Sequence, residues 1–124
     1  MDSACTIVMV DDDRDILALS AELLESEGFT VQIFNNPIKA CEYIKNNLSA
    51  TGLLFTDQRM PLMSGVQLYT KVREYSSTLP VMICSGDENV PELLSSKNDS
   101  KLFFMRKPYA PVVLLERVKQ VIAS

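Results

Sequence analysis

The chain has 124 residues, of which 47% are hydrophobic and 23% charged, with a formal charge of −4 and a pI near 4.8; this describes one globular domain, not a disordered segment, and argues against nucleic-acid binding by the chain alone. No apolar stretch approaches the roughly 20 residues of a membrane helix, and no secretory signal opens the chain. Histidine is absent, which removes Cys–His and Ser–His nucleophile pairs and the usual zinc sites, while Cys5, Cys41 and Cys84 read as reduced thiols of a cytosolic protein.

Thr6–Val10 is β-branched and apolar, as a central strand requires. A helix begins at Asp13 or Arg14, with Ile16, Leu17, Leu19, Leu23 and Leu24 as its apolar stripe and Gly28 as its stop. Phe29–Phe34 predicts a second strand, Val31 and Ile33 alternating with Thr30 and Gln32. Asn36 and Pro37 form a cap and first turn for a helix carrying Cys41, Ile44 and Leu48. The apolar run after Gly52 ends abruptly in Asp57, and a proline-containing loop follows. Ser64 caps a third helix reaching about Tyr75, with Leu68, Tyr69 and Val72 inward. Pro80–Cys84 is the fourth strand, and residues 88–97 give a short helix with Val90, Leu93 and Leu94. Asn98-Asp99-Ser100 reads as a polar turn. Lys101–Met105 is the fifth strand, and Pro111 opens a last helix with Leu115, Val118, Val121 and Ile122 inward.

Strands alternating with helices predict right-handed βαβ units and a parallel sheet covered on both faces. The whole chain, 1–124, is read as a single unit with no output domain. Four apolar runs end in polar groups: Asp11-Asp12-Asp13, Asp57, Ser85, and Arg106-Lys107. If those strands are parallel neighbours, the groups meet at the carboxyl edge, where open α/β sheets place their ligands. Asp13 is best placed to cap the first helix. Asp11 and Asp12 facing Asp57 would repel one another unless a cation joined them, and hard oxygen ligands suit Mg²⁺. Lys107, held extended before Pro108, points toward the acids as a partner for a phosphoryl oxygen. Ser85 offers a hydroxyl, and Gly86 a close backbone approach. Such a pocket suits phosphoryl transfer, which needs charge neutralisation above all, with Asp57 as carboxylate nucleophile.

In Val10-Asp11-Asp12, Asp57 followed by Met60-Pro61, Met63-Ser64-Gly65, Ser85, and Lys107-Pro108, the sequence resembles the receiver domain of two-component response regulators, over essentially the whole chain. The resemblance implies a CheY-like, flavodoxin-like doubly wound five-stranded parallel sheet of order 2-1-3-4-5 flanked by five helices. It implies that Asp57 accepts phosphoryl from a phosphohistidine on a sensor histidine kinase or phosphotransfer protein, and that the module catalyses only its own phosphorylation and dephosphorylation. Asp12, Asp57 and the backbone carbonyl of Arg59 would hold Mg²⁺, with Asp11 acting mainly through water. Ser85 and Lys107 would contact the phosphoryl group. Phe104 would be the aromatic switch, altering the face of helix four, strand five and helix five for a downstream target or effector domain. Arg59 and Asp87 depart from the commonest pattern. They stand where they can pair across the pocket mouth and tune the dephosphorylation rate. Ser95–Ser100 replaces the family's small-residue pair, leaving the outline of the fourth helix open.

Other classes fit less well. An aspartyl phosphatase of the haloacid-dehalogenase kind needs a second acid two residues after the nucleophile, and Arg59 stands there. A flavodoxin-like electron carrier needs a Ser/Thr/Gly-rich phosphate loop, not three aspartates after the first strand. A degenerate receiver serving only for docking would not need the intact pocket.

Overall fold

The computed structural model describes residues 5–123. Five strands, β1 (Thr6–Val10), β2 (Thr30–Phe34), β3 (Thr51–Asp57), β4 (Val81–Ser85) and β5 (Leu102–Arg106), alternate with α1 (Arg14–Ser26), α2 (Pro37–Asn46), α3 (Gly65–Arg73), α4 (Val90–Ser95) and α5 (Pro111–Ala123). All pairings are parallel, and the order is β2-β1-β3-β4-β5, as expected from the resemblance.

Every residue of β1 is buried because both faces of the sheet are covered. Ile7 and Met9 face α1 and α5, together with Leu17, Leu24, Leu114 and Val118. Val8 and Val10 face the opposite layer, with Ile44, Leu68, Val72 and Leu94. The edge strand β2 keeps only half of this cover, so Thr30 and Gln32 stay exposed while Val31 and Ile33 turn inward. Capping follows local chemistry: Asp13 accepts from the Asp15 amide, Asn36 from Ile38 and Lys39, and Ser64 forms a reciprocal capping box with Gln67. Gly28 closes α1 at a φ of 96°, a left-handed conformation that costs glycine little.

Some expected core positions lie elsewhere. Leu19 is 60% exposed: the buried stripe of α1 runs through Leu17, Ser20, Ala21 and Leu24, which keeps the i, i+3, i+4, i+7 spacing that Leu19 breaks. The side chain of Ile16 lies outside the described residues. Leu93 is likewise exposed; in α5 Leu114 joins the expected positions as a fully buried residue, and Ile122, half-buried, packs against the same core as expected. Leu48 falls in a 3₁₀ turn, Leu48–Ala50, after α2 has ended. The third helix ends at Arg73, two residues before Tyr75. The fourth helix is six residues long, shorter than the expected 88–97, and the chain beyond it turns through Asn98 at a φ of 53°.

Candidate functional site at the carboxyl edge

Parallel pairing sets the ends of β1, β3, β4 and β5 side by side, with Asp57 opposite Cys84 and Ser85 opposite Arg106. Asp57 is the last residue of β3 and 8% exposed, and Asp11 is 3% exposed. Carboxylate oxygens of Asp11, Asp12 and Asp57 all lie within 4.8 Å of one another. Asp12 is the exposed member, and Asp13 is spent on its cap.

The loop after Asp57 is fastened in three ways. The Gln58 amide donates to the Cys84 carbonyl at 2.9 Å, Gly65 N–H to the Gln58 carbonyl at 3.0 Å, and Val66 N–H to Gln58 Oε1 at 2.9 Å. A Cβ on Gly65 would stand 2.7 Å from the Asp57 carbonyl oxygen, so only glycine permits this approach. Nothing in the sequence pattern singled out Gln58, because its role depends on α3 folding back over the strand end.

Lys107 follows β5 through a cis peptide to Pro108, and its amide donates to the Ser85 carbonyl at 3.0 Å. Its Nζ lies 3.1 Å from Asp57 Oδ2 and 3.6 Å from Asp11 Oδ2. Burial draws the Lys107 ammonium down, but its bond to Asp57 and the fields of Asp57 and Asp11 outweigh this and raise its pKa. Burial pushes the Asp11 carboxyl up to about 6; the Asp13 amide and Lys107 oppose the rise, and the Asp12 and Asp57 carboxyls add to it. Three acids with one lysine between two of them are a site short of positive charge. Ser85, 3% exposed, accepts from the Asp87 amide at 2.9 Å through its Oγ.

A cavity of about 550 Å³ opens among Asp57, Arg59, Ser85, Gly86, Asp87 and Lys107. Arg59 and Asp87 meet over it, Nη2 to Oδ2 at 3.6 Å, with the arginine 84% exposed. Phe104 stands apart from the acids. It pairs in register with Ile83 and packs half-buried in the layer that includes α4, where the Arg106 guanidinium lies 5.6 Å from its ring. Cys84 lies just beneath the acids, and burial pushes its thiol up to about 12, so it is not a nucleophile near neutral pH.

A doubly wound α/β sheet with an acid cluster and a lysine at its carboxyl edge is the architecture of the CheY-like proteins. The family model for the response regulator receiver domain matches residues 7–119, and the chain belongs to that family, the receivers of two-component systems. It is 30% identical over 115 residues to the phosphoglycerate transport system transcriptional regulatory protein PgtA of Salmonella typhimurium, covering 93% of this chain and 27% of that protein. It is 29% identical over 119 residues to the response regulator protein TodT of Pseudomonas putida, covering 95% and 51%. The chain thus spans between about a quarter and a half of the length of these curated relatives. Among solved structures, the receiver domain of the hybrid histidine kinase CckA superposes with a TM-score of 0.80 at 30% identity, covering 94% of this chain and 98% of that one. The receiver domain of NtrX from Brucella abortus gives 0.80 at 26% identity, covering 95% and 98%. Among the described residues, no helix is long and apolar enough to cross a membrane.

Proposed function

We propose that the chain is the phosphoryl-accepting receiver of a phosphorelay, with Asp57 as acceptor. The observation that carries this is the Lys107 ammonium 3.1 Å from Asp57 Oδ2, inside a cluster of three acids. An Asp57 carboxylate oxygen attacks phosphorus, the P–N bond to the donor imidazole breaks, and the aspartyl phosphate forms. Lys107 pairs with a phosphoryl oxygen. Ser85, whose oxygen already accepts from the Asp87 amide, donates its hydroxyl proton to another.

The donor set fits a divalent cation. It is all oxygen, anionic and closely grouped, and burial beside two other acids has already raised the Asp11 carboxyl, strain that a bound Mg²⁺ would relieve. Asp12, Asp57 and the Arg59 carbonyl would hold it, Asp11 mainly through water. Once bound, Mg²⁺ supplies the charge neutralisation that phosphoryl transfer needs.

The donor is a phosphohistidine of a sensor histidine kinase or phosphotransfer protein. The output is a rearrangement of Ser85 and Phe104 that alters the α4, β5 and α5 face for a target or effector domain. Residues 1–124 act as one signalling unit, catalysing only their own phosphorylation and dephosphorylation. Nucleic acid and membrane are not direct partners, the net charge being −4. Three free thiols suit a reducing compartment, the cytoplasm.

Intact mass after incubation with Mg²⁺ and acetyl phosphate tests the reading. One phosphoryl adduct is expected, absent with a chelator and absent in Asp57→Asn. An adduct that survives Asp57→Asn moves the acceptor elsewhere. No adduct in a folded, Mg²⁺-binding protein favours a docking module instead.

A further inference from the structure

Residues 59–64 form a loop whose far end is tied back to Gln58. The Gln58 main-chain carbonyl accepts from Gly65 N–H at 3.0 Å, and its side-chain Oε1 accepts from Val66 N–H at 2.9 Å. An α-helix leaves its first amides without intrahelical partners. In α3 two of them are taken by Gln58 from across the loop, and Ser64, the ordinary cap, takes only the third, from Gln67 at 3.1 Å. On its other side the Gln58 amide donates to the Cys84 carbonyl at 2.9 Å, one residue beyond Asp57. Gln58 thus clamps the helix to the strand end that carries the acceptor.

The loop closed in this way is strained. Met63 N–H donates to the Pro61 carbonyl at 2.8 Å in a three-residue turn centred on Leu62, whose φ is 74°, a conformation that a leucine avoids. Leu62 is 73% exposed, so burial does not hold it there. Strain of this kind persists only where the surroundings over-determine it. The fixed points are Met60 and Met63, packed against the core, and the Gln58 clamp. Arg59 comes directly after the clamp. Its carbonyl is the one proposed to ligate the cation, and its side chain meets Asp87 over the pocket.

We propose that Gln58 is a positioning residue of the acceptor site: its side-chain oxygen holds the 59–64 loop closed, which fixes the Arg59 carbonyl beside the acids and raises the affinity for the divalent cation. This rests on the reading of Asp57 as acceptor and of the Arg59 carbonyl as ligand. Gln58 acts through the loop, not on the reacting atoms. An aliphatic side chain at this position keeps the main-chain bonds to Gly65 and Cys84 and loses only the bond to Val66, so the loop can open and relax at Leu62. The loss is then bounded by one hydrogen bond, roughly threefold to tenfold in affinity. Coupling between two equilibria is reciprocal, so the cation must also strengthen the clamp.

The test is an NMR titration of the full chain with Mg²⁺, together with hydrogen exchange of its backbone amides. In Gln58→Met, of similar length but without the acceptor oxygen, the Kd for Mg²⁺ should rise roughly threefold to tenfold. The reaction with acetyl phosphate should need correspondingly more Mg²⁺ to reach half its limiting rate. In the parent chain, Mg²⁺ should slow exchange of the Val66 amide more than that of Ile38, which is capped in the same manner by Asn36 Oδ1 at 2.9 Å. Asn36→Ala, which loses that remote cap, should bind Mg²⁺ as the parent does. Three results would each overturn the proposal: an unchanged Kd in Gln58→Met, an equal weakening in Asn36→Ala, or equal slowing of Val66 and Ile38. The last comparison needs no variant, and it decides the matter even if Gln58→Met does not fold. A parent chain that neither binds Mg²⁺ nor takes up phosphoryl would instead overturn the acceptor reading, and this proposal with it.

Discussion

Replacing Asp99 with alanine should unfasten α3 from the start of β5. Asp99 Oδ2 accepts from Arg73 Nε at 2.8 Å and from the Tyr69 hydroxyl at 2.6 Å, while Oδ1 accepts from the Lys101 amide at 2.9 Å. The Arg73 and Asp99 side chains are only 15% and 17% exposed, so this pair is better shielded from water than an ordinary surface ion pair. Arg73 would keep its 2.8 Å bond to the Leu79 carbonyl and its longer bonds to Ser76 and Lys101. Three hydrogen bonds to one carboxylate, discounted for those surviving partners and for partial exposure, contribute about 2–3 kcal/mol. With an unfolding entropy near 2.1 cal/mol/K per residue, a chain of 124 residues should melt about 10 °C lower. Arg73 holds the Asp99 carboxyl down at about 2, with burial opposing. A depressed acid contributes its stability above the unfolded pKa near 4 and loses it as pH falls through the folded value. The gap between parent and variant should therefore be full at neutral pH and shrink between about pH 4 and about pH 2. Thermal and urea unfolding across that range measure both effects. A drop of under about 3 °C at neutral pH, or a gap that stays constant into acid, would refute the reasoning.

Lys107→Ala leaves Asp11 and Asp57 facing one another without their shared cation; the variant should melt lower without metal, and added Mg²⁺ should recover more stability than it gives the parent chain, as differential scanning fluorimetry would show. Gly65→Ala drives a Cβ against the Asp57 carbonyl and Gln58 Cα; it should cost about 1–3 kcal/mol in urea unfolding and slow phosphorylation by acetyl phosphate, since the strand end must shift. Asp87→Ala frees Arg59 from its 3.6 Å partner. Phosphoryl lifetime, followed by intact mass, should change together with the mobility of the Arg59 side chain, and no change in either would remove the pair from the mechanism.

Strand and helix order, the caps at Asp13, Asn36 and Ser64, and the polar ends of four strands could all be read from periodicity and turn chemistry, because each depends on residues close in sequence. That those ends meet at one edge followed from parallel pairing, which the alternation of elements implied, and from the strand order, which only the resemblance supplied. Asn98-Asp99-Ser100, in contrast, read as a mere polar turn. Asp99 proves to be the shared partner of Tyr69 and Arg73, 30 and 26 residues away. Leu19 and Leu93 looked like core and are surface, because the stripe that packs is chosen by what faces it, and hydrophobicity alone does not settle that. The Gln58 clamp arises only when α3 packs back over the end of β3. Local chemistry determined the elements and the residues offered at their ends. Packing between elements far apart in sequence decided which polar groups became partners, as Asp99 did for Tyr69 and Arg73.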